Sequence, residues 1–208
     1  MQLFNKDSVK ATFTHTWYLY PILIALTSLV WMWSFQAFHQ PSAHQKLVMF
    51  YATDVKKNSF ATKIMDEHYD RETLRQIDLF YGLPSSTGYR QKVNIYLNNS
   101  DFLILDEGTL TDLSEREGTF FVSMNEYVKS YVPSTVTYYT RNAKDYGIRI
   151  KEKNVVSPLS EYMTFDESKD YYLFLSVTSK NLGKYYDDNN INYDNALTYM
   201  RYLLTEYL

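Results

Sequence analysis

Five side chains between residues 51 and 107 have the chemistry of a polar ligand site. They end or follow two apolar runs that have the pattern of buried strands, and they are Tyr51, Thr53, Asp54, Asp106 and Glu107. In open α/β sheets, ligands bind beyond the carboxyl ends of the strands. If the two strands are parallel, these side chains share one edge of the sheet. Asp and Thr are also common at helix caps and in turns, so the same positions fit a purely structural role.

The sequence shows no paired constellation of catalytic residues. An envelope hydrolase that uses Asp106 or Glu107 as its acid or base is therefore the weakest alternative. Neither H-E-x-x-H nor G-x-S-x-G nor a glycine-rich phosphate loop occurs, and the chain has only six glycines from which to build such loops. We predict a non-enzymatic protein that needs no cofactor.

Metal binding has equally little support. Cysteine is absent, which excludes disulfides, Cys-ligated zinc and a lipid-modified cysteine. The chain has four histidines, and no two of them share one helical face: His15, His39, His44 and His68. Residues 187–194 have the spacing of a calcium loop, but tyrosines replace the required glycine and glutamate, so a polar turn before a helix is the simpler interpretation. We predict no metal site.

The charge and composition of the chain restrict the classes of partner that it can bind. The formal net charge is −3 and the hydrophobic fraction is 45%, as in a globular protein. No basic stripe is present, so the electrostatic pattern of a nucleic-acid-binding surface is missing.

Residues 17–38 have the composition of a transmembrane helix. The segment reads WYLYPILIALTSLVWMWSFQAF and contains no charged residue. About 20 apolar residues cross the hydrocarbon core of a bilayer, and aromatic rings at both ends of the segment suit its two interfaces. A core helix would show a polar face, a cleaved signal peptide a shorter apolar core, and a surface helix a charged face. We predict a single-pass signal anchor.

The segment divides the chain into four parts. Residues 1–16 form a short tail, 17–38 the span, 39–45 a polar linker, and 46–208 one domain of about 165 residues, which is an ordinary domain size. The charges that flank the span are nearly balanced, so they do not decide the orientation. A short tail inside and a long domain outside is the commoner arrangement, and we expect an extracytoplasmic domain.

The pattern of the domain predicts an α/β fold. Residues 46–51, 75–81 and 101–106 have the pattern of strands, and residues 55–68 and 89–97 that of intervening helices. This alternation implies right-handed crossovers and a mainly parallel sheet. Further on, we predict short helices at 110–116 and 124–131, strands at 147–151 and 171–177, and a helix at 195–207 that Asp194 caps.

Several segments together resemble one lobe of a known family. The pieces are KLVMFYATD, the helix YRQKVNIYL followed by SDFLILDEGTL, and later DYGIRI, YYLFLSVTSKN and DNALTYMRYLL. They resemble one lobe of the extracellular solute-binding proteins of ABC transporters, which have the fold of type 2 periplasmic binding proteins. The similarity is to small membrane-tied relatives from low-GC Gram-positive bacteria. A full binding protein is roughly twice as long and grips its ligand between two lobes, and the usual cysteine lipid anchor is missing here.

The resemblance implies a membrane-anchored extracytoplasmic domain that binds a small ligand or a protein partner, such as a component of an ABC transporter. The alternative is a bitopic scaffold of the cell envelope whose span and domain both make protein–protein contacts. The sequence leaves the identity of a ligand open.

Overall fold

A computed structural model of the protein describes residues 17–70, 72–113, 117–182 and 194–208. The chain divides into two compact units, Met1–Gln40 and Pro41–Leu208. The tail 1–16 and residues 187–193 of the acidic segment lie outside the described residues, so the predictions made for them stay predictions.

The first unit contains one long helix, α1, Leu19–His39. Its 21 residues rise about 31 Å at 1.5 Å per residue, and none of them is buried. The hydroxyl of Thr27 donates to the carbonyl oxygens of Leu23 and Ile24, so this polar side chain is satisfied within the helix. In the described part of the chain this is the helix long and apolar enough to cross a membrane, as a membrane anchor or a signal sequence does.

The second unit is built on a six-stranded sheet with two further short strands beside it. The strands are β1 Lys46–Tyr51, β2 Asp54–Val55, β3 Gln76–Tyr81, β4 Phe102–Asp106, β5 Tyr138–Arg141, β6 Lys144–Lys151, β7 Met163–Thr164 and β8 Tyr171–Leu175. The large sheet has the order β3-β1-β4-β8-β6-β5, and β2 pairs with β7.

The expectation of a mainly parallel sheet is wrong. β1 is parallel to β3 and to β4, whereas the β4–β8, β8–β6 and β6–β5 pairs are antiparallel. A parallel pair needs a long crossover, usually a helix, and helices do separate the first three strands. The pairs beyond β4 are antiparallel and do not require a crossover helix: β5 and β6 form a hairpin whose turn residues Asn142 and Ala143 have φ of 48° and 59°. The α/β class is confirmed, and the mixed sheet gives no support to a periplasmic-binding-protein lobe.

Six helices accompany the sheet within the described residues. They are α2 Ser59–His68, α3 Tyr89–Leu97, α4 Glu107–Leu113, α5 Glu117–Phe120, α6 Glu126–Lys129 and α7 Asn195–Tyr207, with 3-10 turns at Ala43–Gln45 and Pro158–Glu161. α2 begins later than predicted because β2 occupies Asp54–Val55. The predicted helix 110–116 begins earlier, and its last residues lie outside the described ranges.

α2 and α3 pack into different apolar clusters on opposite faces of the sheet, as right-handed crossovers in the order β3-β1-β4 require. Phe60 of α2 packs in one apolar cluster with Leu203 of α7. Val93 of α3 packs in a second cluster with Leu110 of α4. The two clusters fix α3 and α4 on the same face, where their first turns lie beside the carboxyl ends of β3 and β4.

Asp194 does not cap α7 in the way the sequence predicts. It occupies the N-cap position, but its side chain makes no capping hydrogen bond. Its carboxylate instead accepts hydrogen bonds from the hydroxyls of Tyr127 and Tyr131. Tertiary contacts have therefore taken over the side chain that a local rule assigns to the helix.

Candidate functional site

β1 and β4 are neighbouring parallel strands in which Tyr51 is paired with Ile104, so their carboxyl ends do share one edge. The structure nevertheless gives the predicted site residues different surroundings. Tyr51 is fully buried and its hydroxyl donates to the sulfur of Met49. Thr53 is also buried, and its hydroxyl donates to the carbonyl oxygen of Thr164.

Asp54 and Glu107 are exposed, and neither lines the cavity at this edge. Asp54 lies in β2, opposite Thr164 of β7. Glu107 is the first residue of α4, and its backbone N–H donates to the carbonyl oxygen of Asp170 at 3.1 Å. Of the five predicted residues, Asp106 is the one that lines the cavity described below.

Asp106 is the centre of a buried polar chain. It is only 1% exposed, and its Oδ2 lies 2.6 Å from Nζ of Lys169. Its Oδ1 accepts hydrogen bonds from the backbone N–H and the hydroxyl of Thr109. The Thr109 hydroxyl in turn lies 2.7 Å from that of Tyr89. Both carboxylate oxygens therefore have donors, which a buried charge requires.

The electrostatics follow from this geometry. The hydrogen bond from Lys169 to Asp106 raises the pKa of Lys169, against a smaller lowering by desolvation. Burial raises the pKa of Tyr89, so its hydroxyl stays protonated at neutral pH. The site therefore combines the Lys169–Asp106 ion pair with the hydrogen-bonded hydroxyls of Thr109 and Tyr89.

A cavity of about 430 Å³ is lined by these hydrogen-bonded side chains of Lys169, Asp106, Thr109 and Tyr89. Three segments form it: the turn before α3 with the first turn of α3, the end of β4 with the start of α4, and the loop before β8. Its polar lining includes Ser86, Gln91, Asp112 and Lys169. Small-molecule sites have volumes of about 300–1,000 Å³ and a few convergent polar groups, and this cavity matches both properties.

Gly108 keeps the ion pair accessible. A Cβ atom at this position would lie 3.2 Å from Oδ2 of Asp106 and 3.6 Å from Nζ of Lys169. Glycine inside a helix costs about 0.5–1 kcal/mol relative to alanine. Its presence in the short helix α4 is explained by the space that the ion pair needs.

A second ion pair connects the two helices beside the cavity. Nη2 of Arg90 in α3 lies 3.0 Å from Oδ2 of Asp112 in α4, with side chains 83% and 56% exposed. Both residues also line an adjoining cavity of about 240 Å³. Because an exposed pair of this kind contributes little to stability, it can exchange partners readily.

Lys151 holds the loop that carries Lys169. It is only 4% exposed, and its ammonium group donates to three carbonyl oxygens: those of Glu152 and Glu167, each at 3.2 Å, and that of Lys169 at 2.9 Å. A buried ammonium with three acceptors fixes the backbone around it. Lys151 thus positions Lys169 without lining the cavity.

Four residues of the site were not predicted from the sequence: Tyr89, Arg90, Gly108 and Lys169. The segment SSTG before α3 is a weak signal for a polar helix entrance. Lys169 had no signal, because its approach to Asp106 depends on β8 pairing with β4, in which Asp106 is opposite Tyr171.

A separate cluster joins α2 to α7. Nε2 of His68 lies 2.7 Å from Oε1 of Glu206, and the His68 ring stacks on Tyr202 with centroids 3.8 Å apart. Glu67 offers a third ligand atom nearby. The ammonium of Lys63 already pairs with both glutamates, at 3.5 Å and 3.9 Å, so the group is a self-compensated ion-pair network.

The cavity has a composition that fits several classes of small polar ligand. The resemblance to solute-binding proteins and the absence of a metal or cofactor stay predictions, because no protein-family model, curated protein or solved structure matches this chain.

Proposed function

We propose that this protein is a single-pass, membrane-anchored domain that binds a small polar ligand and carries out no reaction on it. The domain lies on the extracytoplasmic side, and the ligand occupies the cavity above Asp106 and Lys169. The setting of an accessory to an ABC transporter rests on the sequence resemblance alone.

The observation that carries the proposal is the cavity itself. It stands at the carboxyl ends of parallel strands, where α/β proteins bind ligands, and its floor is already organised by the Asp106–Lys169 pair. Both oxygens of Asp106 are occupied by protein donors. Asp106 is almost completely buried and Lys169 is held against it, so the arrangement favours binding over acid–base chemistry.

Ligand binding is tested by thermal unfolding of the full chain in detergent micelles against a panel of sugars, peptides and metal ions. A ligand that binds the folded state raises the melting temperature with concentration. Gly108→Leu fills the cavity, and Thr111→Leu is the matched control, since Thr111 is an exposed residue of the same helix outside the cavity. Each variant is compared with its own ligand-free melting temperature.

We expect a response in the wild type and in T111L that is lost in G108L. A response that persists in G108L places the ligand elsewhere and overturns the proposal. No response across the panel, with envelope proteins crosslinked to the chain, would favour the scaffold instead.

The location is tested by cysteine labelling, for which the cysteine-free chain is suited. Val156 is 83% exposed, so Val156→Cys places one reactive thiol on the domain. A membrane-impermeant maleimide should label it on intact cells as fully as a permeant one. Labelling by the permeant reagent alone would place the domain inside the cell, and recovery of unlabelled full-length chain without detergent would exclude the anchor.

A further inference from the structure

We infer that the ligand of this cavity carries an oxyanion, a carboxylate or phosphate group, which Arg90 and Lys169 bind together. The inference rests on the proposed function, because it names the chemical class of ligand for the same cavity. It follows from counting which polar groups of the lining already have partners.

The two cationic side chains have donors to spare. Lys169 is 34% exposed and makes one side-chain hydrogen bond within the described residues, to Asp106, although an ammonium has three donors. Arg90 makes one side-chain hydrogen bond within the described ranges, from Nη2 to Asp112, although a guanidinium has five N–H donors. Several charged donors therefore remain for a ligand or for water.

The carboxylates of the lining have less to offer. Both oxygens of Asp106 accept hydrogen bonds, and the residue is almost completely buried. Asp112 is already paired with Arg90. The lining carries two cations and two carboxylates, so its formal charges cancel. The spare N–H donors of Lys169 and Arg90 nevertheless outnumber the free acceptor positions of the two carboxylates, and carboxylate and phosphate oxygens bind such charged donors.

The start of α3 adds to this polarity. The helix has nine residues, no side-chain cap at Gly88 and no acidic residue in its first turn. Gly88 has φ of 82°, a left-handed conformation that brings the backbone into the helix without a side chain in the way. The partial positive charge of a helix start then acts in the same direction as Arg90 and Lys169.

Asp112 provides a test of opposite sign, because an oxyanion must compete with its carboxylate for Arg90. Replacing Arg90 should weaken anion binding, whereas replacing Asp112 should strengthen it. If anion binding depended only on the net charge of the protein, replacing any surface arginine would weaken it equally. Arg201, an exposed residue of α7 outside the cavity, provides the control for such an effect.

The experiment titrates inorganic phosphate and, separately, acetate into the full chain in detergent, with total ionic strength held constant by sodium chloride. The melting temperature and isothermal calorimetry report binding. In Arg90→Gln the Kd of the anion should rise about tenfold, which is the effect of one lost charged hydrogen bond. In Asp112→Asn it should fall about threefold. Arg201→Gln should leave the Kd unchanged. Whichever of phosphate and acetate binds the wild type with the lower Kd indicates whether the ligand carries a phosphate or a carboxylate group.

The outcomes separate this inference from the function on which it rests. If neither anion binds but a neutral compound does, and Gly108→Leu abolishes that binding, the inference of an oxyanion ligand is overturned, whereas the proposed binding function of the cavity is supported. If R90Q and R201Q weaken anion binding equally, the effect comes from the overall surface charge, and the inference is overturned. If no compound binds in a G108L-sensitive manner, both proposals fall.

Discussion

Breaking the buried Asp106–Lys169 ion pair from one side should destabilise the domain, because the remaining carboxylate loses its cation. Lys169→Met keeps most of the aliphatic length of the side chain and removes the ammonium group. Asp106 would then stay buried at 1% exposure with two hydrogen bonds from Thr109 and no cationic partner. An uncompensated buried carboxylate is the costly product of this change.

The magnitude follows from the burial of the two partners. Removing one partner of a fully buried pair costs roughly 3–5 kcal/mol. The side chain of Lys169 is 34% exposed, so water screens part of the interaction, and we expect about 2 kcal/mol. For a domain of this size, that corresponds to a decrease in melting temperature of about 4–8 °C.

The alkaline limb of the stability curve gives a second readout. The folded-state pKa of Lys169 is raised by Asp106, so its contribution is complete below the unfolded value of 10.5 and is lost as the pH rises through the folded value. Tyrosines of the domain titrate in the same direction, among them the half-buried Tyr172, whose pKa desolvation raises to about 12. The difference in the free energy of unfolding between wild type and K169M reports the contribution of the lysine, and this difference should decrease above pH 10.5.

The assay is thermal unfolding of the full chain in detergent, with Asp106→Asn/Lys169→Met as the double variant. Removing both charges leaves no unpaired carboxylate, so the double variant should recover to within about 1 kcal/mol of wild type. Two results would refute the reasoning: a single variant as stable as wild type, or a double variant no more stable than K169M.

Four further results are expected. Lys151→Met removes the ammonium donor from the carbonyl oxygen of Lys169, and from those of Glu152 and Glu167, which keep a backbone donor each, so it should lower the free energy of unfolding by about 2 kcal/mol in chemical denaturation; an unchanged midpoint would contradict its positioning role. Glu206 has a pKa lowered by its hydrogen bond from His68, so its contribution is present above 4.5 and is lost as the pH falls. E206Q should flatten the acid limb by less than about 1 kcal/mol, and an equally steep limb would count against the pair. Gly108→Ala should weaken ligand binding more than it changes the melting temperature, because its Cβ approaches the ion pair while alanine favours the helix; unchanged affinity would show that the space is not used. Leu26→Lys, at the middle of the apolar helix, adds about 2.5–3.5 kcal/mol to insertion and should reduce the membrane fraction on flotation; an unaltered fraction would argue against a span.

Local elements of the domain were predictable because their signal is carried by neighbouring residues. The helices at Tyr89–Leu97 and Asn195–Tyr207 and the strand at Lys46–Tyr51 have the bounds that their periodicity predicts. β5 was missed, since its hairpin depends on two residues in the left-handed region that no glycine marks. The cavity was only half predictable: Asp106 follows a clear strand, whereas Arg90 and Gly108 stand in helices with no motif.

By itself, the sequence determined the apolar helix, the α/β class and the edge of the sheet at which Asp106 lies, because hydropathy and periodicity are properties of contiguous residues. Only the tertiary structure decided which cation meets that carboxylate. Lys169 is 63 residues from Asp106 along the chain, and the two meet because β8 returns antiparallel beside β4. Strand pairing of this kind depends on long-range hydrogen bonds and side-chain packing, which no local pattern encodes.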